Sequence, residues 1–328
     1  MMRILISLLA FTLTAAWRPA LALEVAKHED IVRLIDELVS EQRFSEQELR
    51  DIFARVRLRP NVVKVMSKPS ERLPWHRYRK LFITPVQIDD GVDFWRAHDQ
   101  TLQRAEQDFG VPAEVIVAII GVETRYGRNR GSYPVIDSLT TLTLQYPRRS
   151  NFFRSELRHF LVLTRDEGLD PLGITGSYAG AIGIPQFMPS SYRDYAVDFS
   201  GNGRRDLVNE TEDAIGSVAN YLKRYRWQAN APIVADARTT ATVAAPLIHK
   251  KLRPNTTVAA LRKAGVKTAD DVDGSLQAAL VQLDGEESPI WRVAFANFYA
   301  ITRYNPSVNY AMAVYELSVA VARRRAAD

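Results

Sequence analysis

The chain has 328 residues, of which 46% are hydrophobic and 25% are charged, with 16 glycines and 16 prolines. These fractions lie near the averages of globular proteins and exclude a collagen-like, disordered or coiled-coil chain. The chain has no cysteine and a net charge of +5. We therefore expect no disulfide scaffold, zinc finger, iron–sulfur cluster, catalytic thiol or lipid-carrying cysteine, and no binding of nucleic acid.

The N-terminus has the pattern of a secretory signal peptide. Arg3 supplies a positive charge, residues 4–17 are apolar and uncharged, and residues 20–22 (Ala-Leu-Ala) form a small-residue cleavage site. The apolar run is shorter than the ~20 residues that a membrane-spanning helix needs. We therefore expect cleavage after Ala22, with an uncleaved anchor as the alternative.

Apolar residues spaced at i, i+3, i+4 and i+7 predict two amphipathic helices, around residues 31–38 and 49–56. Residues 45–48 (Ser-Glu-Gln-Glu) form a capping box at the start of the second helix. Four prolines then divide the chain into short segments: Pro60, Pro69, Pro74 and Pro85. A further helix is predicted from Val92 to Phe109, and Gly110 is expected to end it.

The stretch from Pro112 to Val122 is apolar on nearly every face, which predicts a helix that is buried all round. Further helices are predicted over residues 150–166 and 211–225. A Gly-rich stretch (residues 173–183) and a polar loop (residues 198–206) lie between these two helices.

Beyond Trp227 the composition changes to alanine, valine and threonine, and short apolar runs flank the turn signal Asp284-Gly285. We expect a small antiparallel β subdomain over residues 229–296, with a helical piece near residues 258–264. A helix over residues 310–324 is predicted to close the chain.

Glu123 is the first candidate for catalysis, because it directly follows the buried helix and Gly127 lies close behind as a helix stop. Apolar surroundings and the negative end of the helix dipole both disfavour the ionised carboxylate. A carboxyl that stays protonated is suited to general acid catalysis. The pattern alone favours the alternative, a solvated glutamate that pairs with Arg125 or Arg128.

Five motifs occur along the chain in a fixed order. They are residues 121–127 (GVETRYG), 146–149 (YPRR), 176–183 (GSYAGAIG), 185–192 (PQFMPSSY) and 213–221 (DAIGSVANY). Together they resemble the B-type lytic murein transglycosylases, and the resemblance extends from about Tyr78 to Tyr315. It implies that the glutamate matching Glu123 is the single catalytic acid and base.

The resemblance also implies the fold class, which is mainly α (α+β) with a lysozyme-like helical core and a small inserted antiparallel β subdomain. The expected division of the chain runs as follows: signal peptide 1–22, N-terminal helical region 23–95, lysozyme-like catalytic core 96–228, small β subdomain 229–296, and C-terminal segment 297–328 that completes the groove.

The resemblance assigns a substrate groove as well. Ser177 and Gln186 match family residues that contact the N-acetyl sugars near the scissile bond. Residues that match others lining the same cleft are Tyr221, Tyr304, Asn305 and Tyr310, and those that match more distal contacts are Tyr78, Arg148, Arg149 and Phe152. The family can carry tyrosine at Phe152, so a hydroxyl contact is missing here. For each tyrosine taken alone, packing in the core is the alternative.

Residues 198–204 resemble the first half of an EF-hand loop, with oxygen-bearing side chains at its first, third and fifth positions and glycine at the sixth. The twelfth position is Asn209 where the full motif has glutamate. The resemblance places the closing carboxylate at Asp213 instead. We therefore expect a structural calcium of modest affinity at Asp198, Ser200, Asn202, Arg204 and Asp213. The alternative is a loop held by Asx-turns without metal.

The function that the resemblance implies is that of a peptidoglycan lytic transglycosylase. Such an enzyme cleaves the β-1,4 bond between N-acetylmuramic acid and N-acetylglucosamine and leaves 1,6-anhydromuramic acid ends. The chemistry needs no cofactor. We expect peptidoglycan glycan strands as partners, together with proteins of cell-wall synthesis or remodelling. The expected state is a monomer, soluble in the periplasm of a Gram-negative bacterium.

Two other functions stay open at this point. A lysozyme-like hydrolytic muramidase would use a second carboxylate about 5 to 9.5 Å from the acid, for which Asp137, Asp166 and Glu167 are candidates. A non-catalytic murein-binding scaffold would keep the groove without turnover.

Overall fold

The computed structural model describes residues 25–67, 73–249, 252–269 and 271–328. The predicted signal peptide, residues 1–22, lies outside the described residues. The chain divides into two compact units, one that ends at Arg57 and one from Leu58 to Asp328. No helix in the described ranges has the length and apolar character that crossing a membrane requires.

The first unit contains helices α1 (Glu29–Gln42) and α2 (Glu46–Phe53). One face of α1 is buried through Ile31, Leu34, Ile35 and Leu38, as the apolar spacing predicts. Ser45 Oγ accepts a hydrogen bond from the Glu48 N–H at 3.4 Å, which confirms the serine half of the capping box.

The second unit is mainly helical, which confirms the predicted fold class. Its helices are α3 (Pro60–Met66), α4 (Trp75–Tyr78), α5 (Pro85–Ala97), α6 (Asp99–Phe109), α7 (Ala113–Thr124), α8 (Val135–Gln145), α9 (Ser150–Asp166), α10 (Pro189–Tyr195), α11 (Thr211–Arg224), α12 (Ala241–Ala244), α13 (Val258–Lys263), α14 (Ala296–Tyr304) and α15 (Val308–Ala326). Pro60 and Pro85 begin helices, because a proline at the first helical position removes an N–H that no helix bond would use.

The prediction of one helix over residues 92–109 is wrong, because the chain forms two helices that meet at His98. The backbone of His98 has φ −122° and ψ 25°, outside the helical region, and its N–H bonds the carbonyls of Phe94 and Trp95. The buried side chains of α5 end at Trp95 and those of α6 begin at Leu102. In this described part of the chain, no residue between Trp95 and Leu102 is fully buried.

Helix α7 is buried all round, as predicted: every residue from Val115 to Gly121 is buried. The helix ends at Thr124, before the predicted stop at Gly127. Arg125 and Tyr126 take up left-handed backbone conformations instead, with φ of 50° and 61°. Around it, α15 packs against α7 and α5, and α11 packs against α6 and α7.

The strands form two small antiparallel sheets. The first pairs β1 (Tyr133–Pro134) with β2 (Thr175–Gly176). The second has the order β3-β6-β5-β4, with β3 (Val234–Ala237), β4 (Thr256–Thr257), β5 (Gln277–Asp284) and β6 (Pro289–Ala294). Its core packs Leu280, Trp291 and Val293 against Val258 and Leu261 of α13. An antiparallel sheet, a helical piece and a turn after Asp284 thus lie where the sequence predicts them.

Candidate active site

Glu123 lies in the last turn of the buried helix α7, and its side chain is partly exposed. Its Oε1 atom accepts a hydrogen bond from the hydroxyl of Tyr310 at 2.6 Å. Tyr310 is 2% exposed and belongs to the first turn of α15. The packing of α15 against α7 therefore brings the two side chains together.

Burial raises the pKa of the Tyr310 hydroxyl well above its usual value, and the nearby Glu123 carboxylate acts in the same direction. Burial and Glu123 also raise the pKa of Tyr304, whose hydroxyl donates to the Pro185 carbonyl at 2.6 Å. The two tyrosine rings are nearly parallel, with centroids 6.3 Å apart. At neutral pH both hydroxyls stay protonated, so Tyr310 is a neutral donor to the carboxyl.

A cleft of about 280 Å³ opens beside Glu123. Its lining comprises Glu123, Ser177, Tyr178, Ala179, Ala181, Gln186, Phe187, Met188, Ser191, Tyr221, Tyr304 and Asn305. The structure thus brings together Glu123 and five predicted groove residues: Ser177, Gln186, Tyr221, Tyr304 and Asn305. Tyr310 joins them through its bond to Glu123. Phe187, Met188, Ser191 and Tyr178 lie inside the sequence motifs, but no pattern singles them out.

One wall of the cleft is aromatic. The ring centroids of Phe187, Tyr221 and Tyr304 lie 4.8 to 5.7 Å apart. Tyr221 donates its hydroxyl to the Arg303 carbonyl at 2.6 Å, which fixes the orientation of its ring. Flat aromatic faces of this kind bury large apolar areas, so the wall is suited to the apolar faces of sugar rings.

The polar groups of the cleft are oriented by the loop between β2 and α10. Ser177 Oγ accepts hydrogen bonds from the N–H groups of Ala179 at 3.3 Å and Ala181 at 3.0 Å. The Gln186 amide nitrogen donates to the carbonyls of Gly183 at 2.8 Å and Arg130 at 3.1 Å. Since a hydroxyl can also donate and an amide oxygen can accept, Ser177 can offer a donor and Gln186 an acceptor.

The end of α7 is fixed by a buried network that the sequence alone did not reveal. Tyr126 donates its hydroxyl to the Gln87 carbonyl at 2.8 Å, and the Gln87 side-chain amide donates to the Gly121 carbonyl at 2.9 Å. A Cβ atom at Gly121 would lie 2.7 Å from the Tyr126 ring, and one at Gly91 would lie 2.5 Å from its hydroxyl. The ring therefore occupies space that two glycines leave open.

One of the two arginines named in the alternative for Glu123 has another partner, because Arg128 forms an ion pair with Asp90. The alternative carboxylates are engaged as well. Asp137 pairs with Arg59 at 2.8 Å, Asp166 with Arg165 at 2.6 Å, and Glu167 with Arg205. Within the described residues, Glu123 contributes the one carboxyl to the cleft lining.

The predicted distal contacts lie away from this lining. Arg148 and Arg149 belong to a short 3₁₀ segment before α9, and Phe152 lies in the first turn of α9. The Arg149 guanidinium stacks over the Phe152 ring at 4.1 Å. Tyr78 is 1% exposed and packs against Trp75 and Phe82. A direct sugar contact by Tyr78 would require its neighbours to move, and its assignment stays a prediction.

The predicted metal loop is held by carboxylates that accept backbone N–H groups. Asp198 accepts from Gly201 and Gly203 at 2.7 Å, and the buried Asp213 accepts from Phe199 at 2.8 Å. Desolvation opposes the ionisation of Asp198, but these bonds, that of Gly203 foremost, outweigh it and lower its pKa.

The same loop contains the expected oxygen donors, and this chemistry fits a hard cation. Ser200 Oγ lies 3.3 Å from Asp198 Oδ1, and Asn202 Oδ1 accepts the Arg204 N–H at 3.0 Å. Over the described ranges, however, no group of three or more His, Cys, Asp or Glu side chains is arranged to hold a metal ion.

Comparison with known proteins identifies relatives over most of the chain. The family model of the transglycosylase SLT domain matches residues 26–319. The membrane-bound lytic murein transglycosylase B of Escherichia coli K12 is 41% identical over 312 residues, which cover 92% of this chain and 85% of the relative.

Two solved structures have the same fold. E. coli Slt35 in complex with calcium has a TM-score of 0.83 and 42% identity, covering 91% of this chain and 94% of its own. Pseudomonas aeruginosa SltB3 in complex with NAG-anhNAM-pentapeptide has a TM-score of 0.76 and 30% identity, and the match covers 87% of this chain and 77% of SltB3. The chain therefore belongs to the transglycosylase SLT family and is a lytic transglycosylase that cleaves peptidoglycan.

Proposed function

We propose that Glu123 is the single catalytic acid and base of this enzyme and that the cleft beside it holds the scissile bond of a glycan strand. The observation that carries the proposal is the position of Glu123: its carboxyl is the one in the cleft lining of the described chain, and it is bonded to a buried tyrosine. SltB3 was solved with a NAG-anhNAM ligand, which supports a glycan in the equivalent cleft.

The reaction then needs one carboxyl. Glu123 donates its proton to the oxygen between N-acetylmuramic acid and N-acetylglucosamine, and the bond from that oxygen to muramoyl C1 breaks with oxocarbenium character. The C6 hydroxyl of the same sugar attacks C1 and returns its proton to Glu123. The product is a 1,6-anhydromuramoyl end, no water is consumed, and the carboxyl is ready for another cycle.

Tyr310 has a positioning role in this scheme. Because its hydroxyl stays neutral, it donates to one carboxyl oxygen of Glu123 and leaves the other for proton transfer. A hydrogen bond to an ionised carboxylate is stronger than one between neutral groups. The bond therefore stabilises the anion that Glu123 becomes after the first step.

Ser177 and Gln186 are suited to hold the acetamido groups of the sugars. Ser177 Oγ accepts two backbone bonds and keeps its own hydrogen for an acetamido carbonyl. Gln186 donates its amide hydrogens to protein carbonyls and keeps its oxygen for an acetamido N–H. A donor and an acceptor facing one cleft match the two polar groups of an acetamide.

The other two functions are less well supported. A hydrolytic muramidase would need a second carboxylate near the scissile bond, and its candidates Asp137, Asp166 and Glu167 are in ion pairs away from the cleft lining. A scaffold without turnover would have no use for a carboxyl held by a buried tyrosine at the cleft.

Four further properties belong to the same proposal. A structural calcium would be held by the oxygens of Asp198, Ser200, Asn202, Arg204 and Asp213, as the calcium complex of Slt35 supports. It stabilises the loop and takes no part in the chemistry. The signal pattern supports a periplasmic location, and within the proposal the enzyme acts there as a monomer on murein and meets proteins of wall synthesis and remodelling.

Glu123→Gln tests the catalytic role. Glutamine is nearly isosteric and can still bond Tyr310, but it cannot exchange a proton, so loss of turnover by more than about 10⁴-fold is expected. Glu114→Gln, at the opposite end of α7, is the matched control. Burial already raises the pKa of Glu114 and favours its neutral form, so glutamine is tolerated there. Activity of Glu123→Gln within tenfold of wild type would reject the role.

A further inference from the structure

A second cavity, of about 650 Å³, lies beside the catalytic cleft and is strongly basic. Arg224, Arg226, Arg253 and Arg303 line it together with the aromatic rings of Tyr225 and Tyr299. The described lining includes no aspartate or glutamate. The β subdomain supplies Arg253, whereas α11, α14 and the residues after α11 supply the other three arginines.

The four guanidinium groups are not neutralised by any carboxylate of the described residues. In the described part of the chain, no carboxylate forms a salt bridge with any of them. Like charges around one concave surface repel each other and concentrate a positive potential there. An anionic ligand relieves this repulsion, so the charge pattern favours binding of an anion.

Arg303 is held in place by the rings beside it. Its guanidinium carbon lies 5.6 Å from the centroid of Tyr225 and 5.8 Å from that of Tyr299. Such cation–π contacts favour one orientation of the planar group. An oriented guanidinium offers two parallel N–H groups, which match the two oxygens of a carboxylate.

The basic cavity and the catalytic cleft share one aromatic partition. Tyr225 lines the cavity, Tyr221 lines the cleft, and their ring centroids are 4.7 Å apart. Arg303 precedes Tyr304 of the cleft, and its carbonyl accepts the Tyr221 hydroxyl at 2.6 Å. A ligand bound next to Glu123 therefore lies within a few side chains of the arginines.

We infer that this cavity binds carboxylates of the peptide stem carried by a glycan in the catalytic cleft. The inference rests on the proposed function. The ligand of SltB3 carries a pentapeptide, and a peptide of this kind ends in a carboxylate. Five extended residues span up to about 17 Å, which is ample to pass a partition one ring thick. The arginines thus make the enzyme prefer glycan strands that still carry their stems.

The test uses the double variant Arg226→Gln/Arg253→Gln, which removes two cavity charges and leaves Arg303 and the cleft unchanged. The matched control is Arg238→Gln/Arg323→Gln, two exposed arginines outside both linings. The substrates are murein glycan strands with pentapeptide stems and the same strands after enzymatic removal of the stems. kcat and KM are measured for both, and the Kd of a free stem pentapeptide is measured by calorimetry.

The cavity variant is expected to raise KM for stem-bearing strands and Kd for the pentapeptide about a hundredfold, because it loses two bonds to charged groups and each is worth about tenfold. Its kcat and its KM for stem-free strands stay at the wild-type values, and the control pair changes nothing. Added salt weakens pentapeptide binding to wild type and has less effect on the cavity variant.

An unchanged KM, or equal changes on both substrates, would overturn the inference. Vesicles with anionic phospholipid form a separate arm: loss of vesicle binding with intact pentapeptide binding would assign the cavity to a lipid surface and also overturn it. The proposed function fails in a different way, when wild type forms no anhydro ends from either substrate. Pentapeptide binding is measured without turnover and separates the two failures.

Discussion

The hydroxyl of Tyr310 lies 2.6 Å from the carboxyl of Glu123, although 187 residues separate them in the chain. The contact exists because α15 packs along the buried helix α7. Glu123 lies in the motif of residues 121–127, and Tyr310 lies at the start of α15. Several consequences of this relationship and of the surrounding packing can be measured.

Tyr310→Phe removes the donor and keeps the ring. We expect kcat to fall about 10- to 100-fold with little change in KM, because a hydrogen bond to a charged group contributes about 1.5 to 3 kcal/mol. Tyr304→Phe is the comparison, since its hydroxyl bonds a backbone carbonyl and not the acid. Steady-state kinetics on purified murein give kcat and KM of both variants. An equal fall of kcat in the two variants would contradict the role of the Tyr310 hydroxyl as the donor to Glu123.

Stability at alkaline pH depends on the same hydroxyl. The pKa of Tyr310 is raised in the folded protein, whereas an unfolded tyrosine ionises near pH 10. Above that pH the unfolded chain has lost a proton that the folded chain keeps, so the free energy of unfolding falls by up to about 1.4 kcal/mol per pH unit for this group. Thermal melts between pH 8 and 12 should show a shallower decline in Tyr310→Phe than in wild type. Identical slopes would argue against the raised pKa.

The network behind α7 predicts the outcome of a small substitution. A methyl group at Gly121 would meet the Tyr126 ring at 2.7 Å, so Gly121→Ala should destabilise the protein by about 1 to 3 kcal/mol in urea unfolding. This overlap outweighs the gain of about 1 kcal/mol in helix propensity. Gly274→Ala, whose nearest neighbour would lie at 3.4 Å, should change stability far less. If Gly121→Ala leaves the free energy of unfolding unchanged, the Tyr126 ring is not confined by the missing side chain at residue 121.

Calcium should stabilise the loop that follows α10. Binding to the folded state alone adds about 2.7 kcal/mol at a hundredfold excess over Kd, so millimolar calcium should raise the Tm of chelator-treated protein. Asp198→Asn weakens the first carboxylate and should remove this rise while leaving kcat unchanged. If calcium leaves the wild-type Tm where it was, the loop is held by its hydrogen bonds to Asp198 and Asp213 alone.

The parts of the fold that the sequence predicts are those with strong local signals. The unbroken apolar run before Glu123 predicts a buried helix, and the structure contains one. The sequence does not predict helix α8, because its segment is rich in threonine, which has low helix propensity. In the structure, Thr141 and Thr143 donate their hydroxyls to the carbonyls four residues earlier, so burial leaves these hydroxyls paired.

The candidate site also contains residues that the sequence predicts and residues that only the packing of distant elements brings together. The resemblance predicts Glu123 and five cleft residues, of which Ser177, Gln186 and Tyr221 lie in the short ordered motifs. No local pattern connects Gln87 with Tyr126, or Arg253 with Arg303, since each pair is formed only by the packing of elements distant in sequence. Tyr78 is the opposite case: it matches a groove residue of the family, but it is buried in the core.

The most direct measurement of the central claim is digestion of purified murein in water enriched in oxygen-18, followed by mass spectrometry of the products. Catalysis by Glu123 alone, with attack by the sugar's own C6 hydroxyl, predicts muropeptides lighter by one water than lysozyme products. These should carry no oxygen-18 and have no reducing muramic end, and Glu123→Gln should form none of them. Reducing ends labelled with oxygen-18 would contradict the account, because they require attack by water and a second carboxylate to activate it.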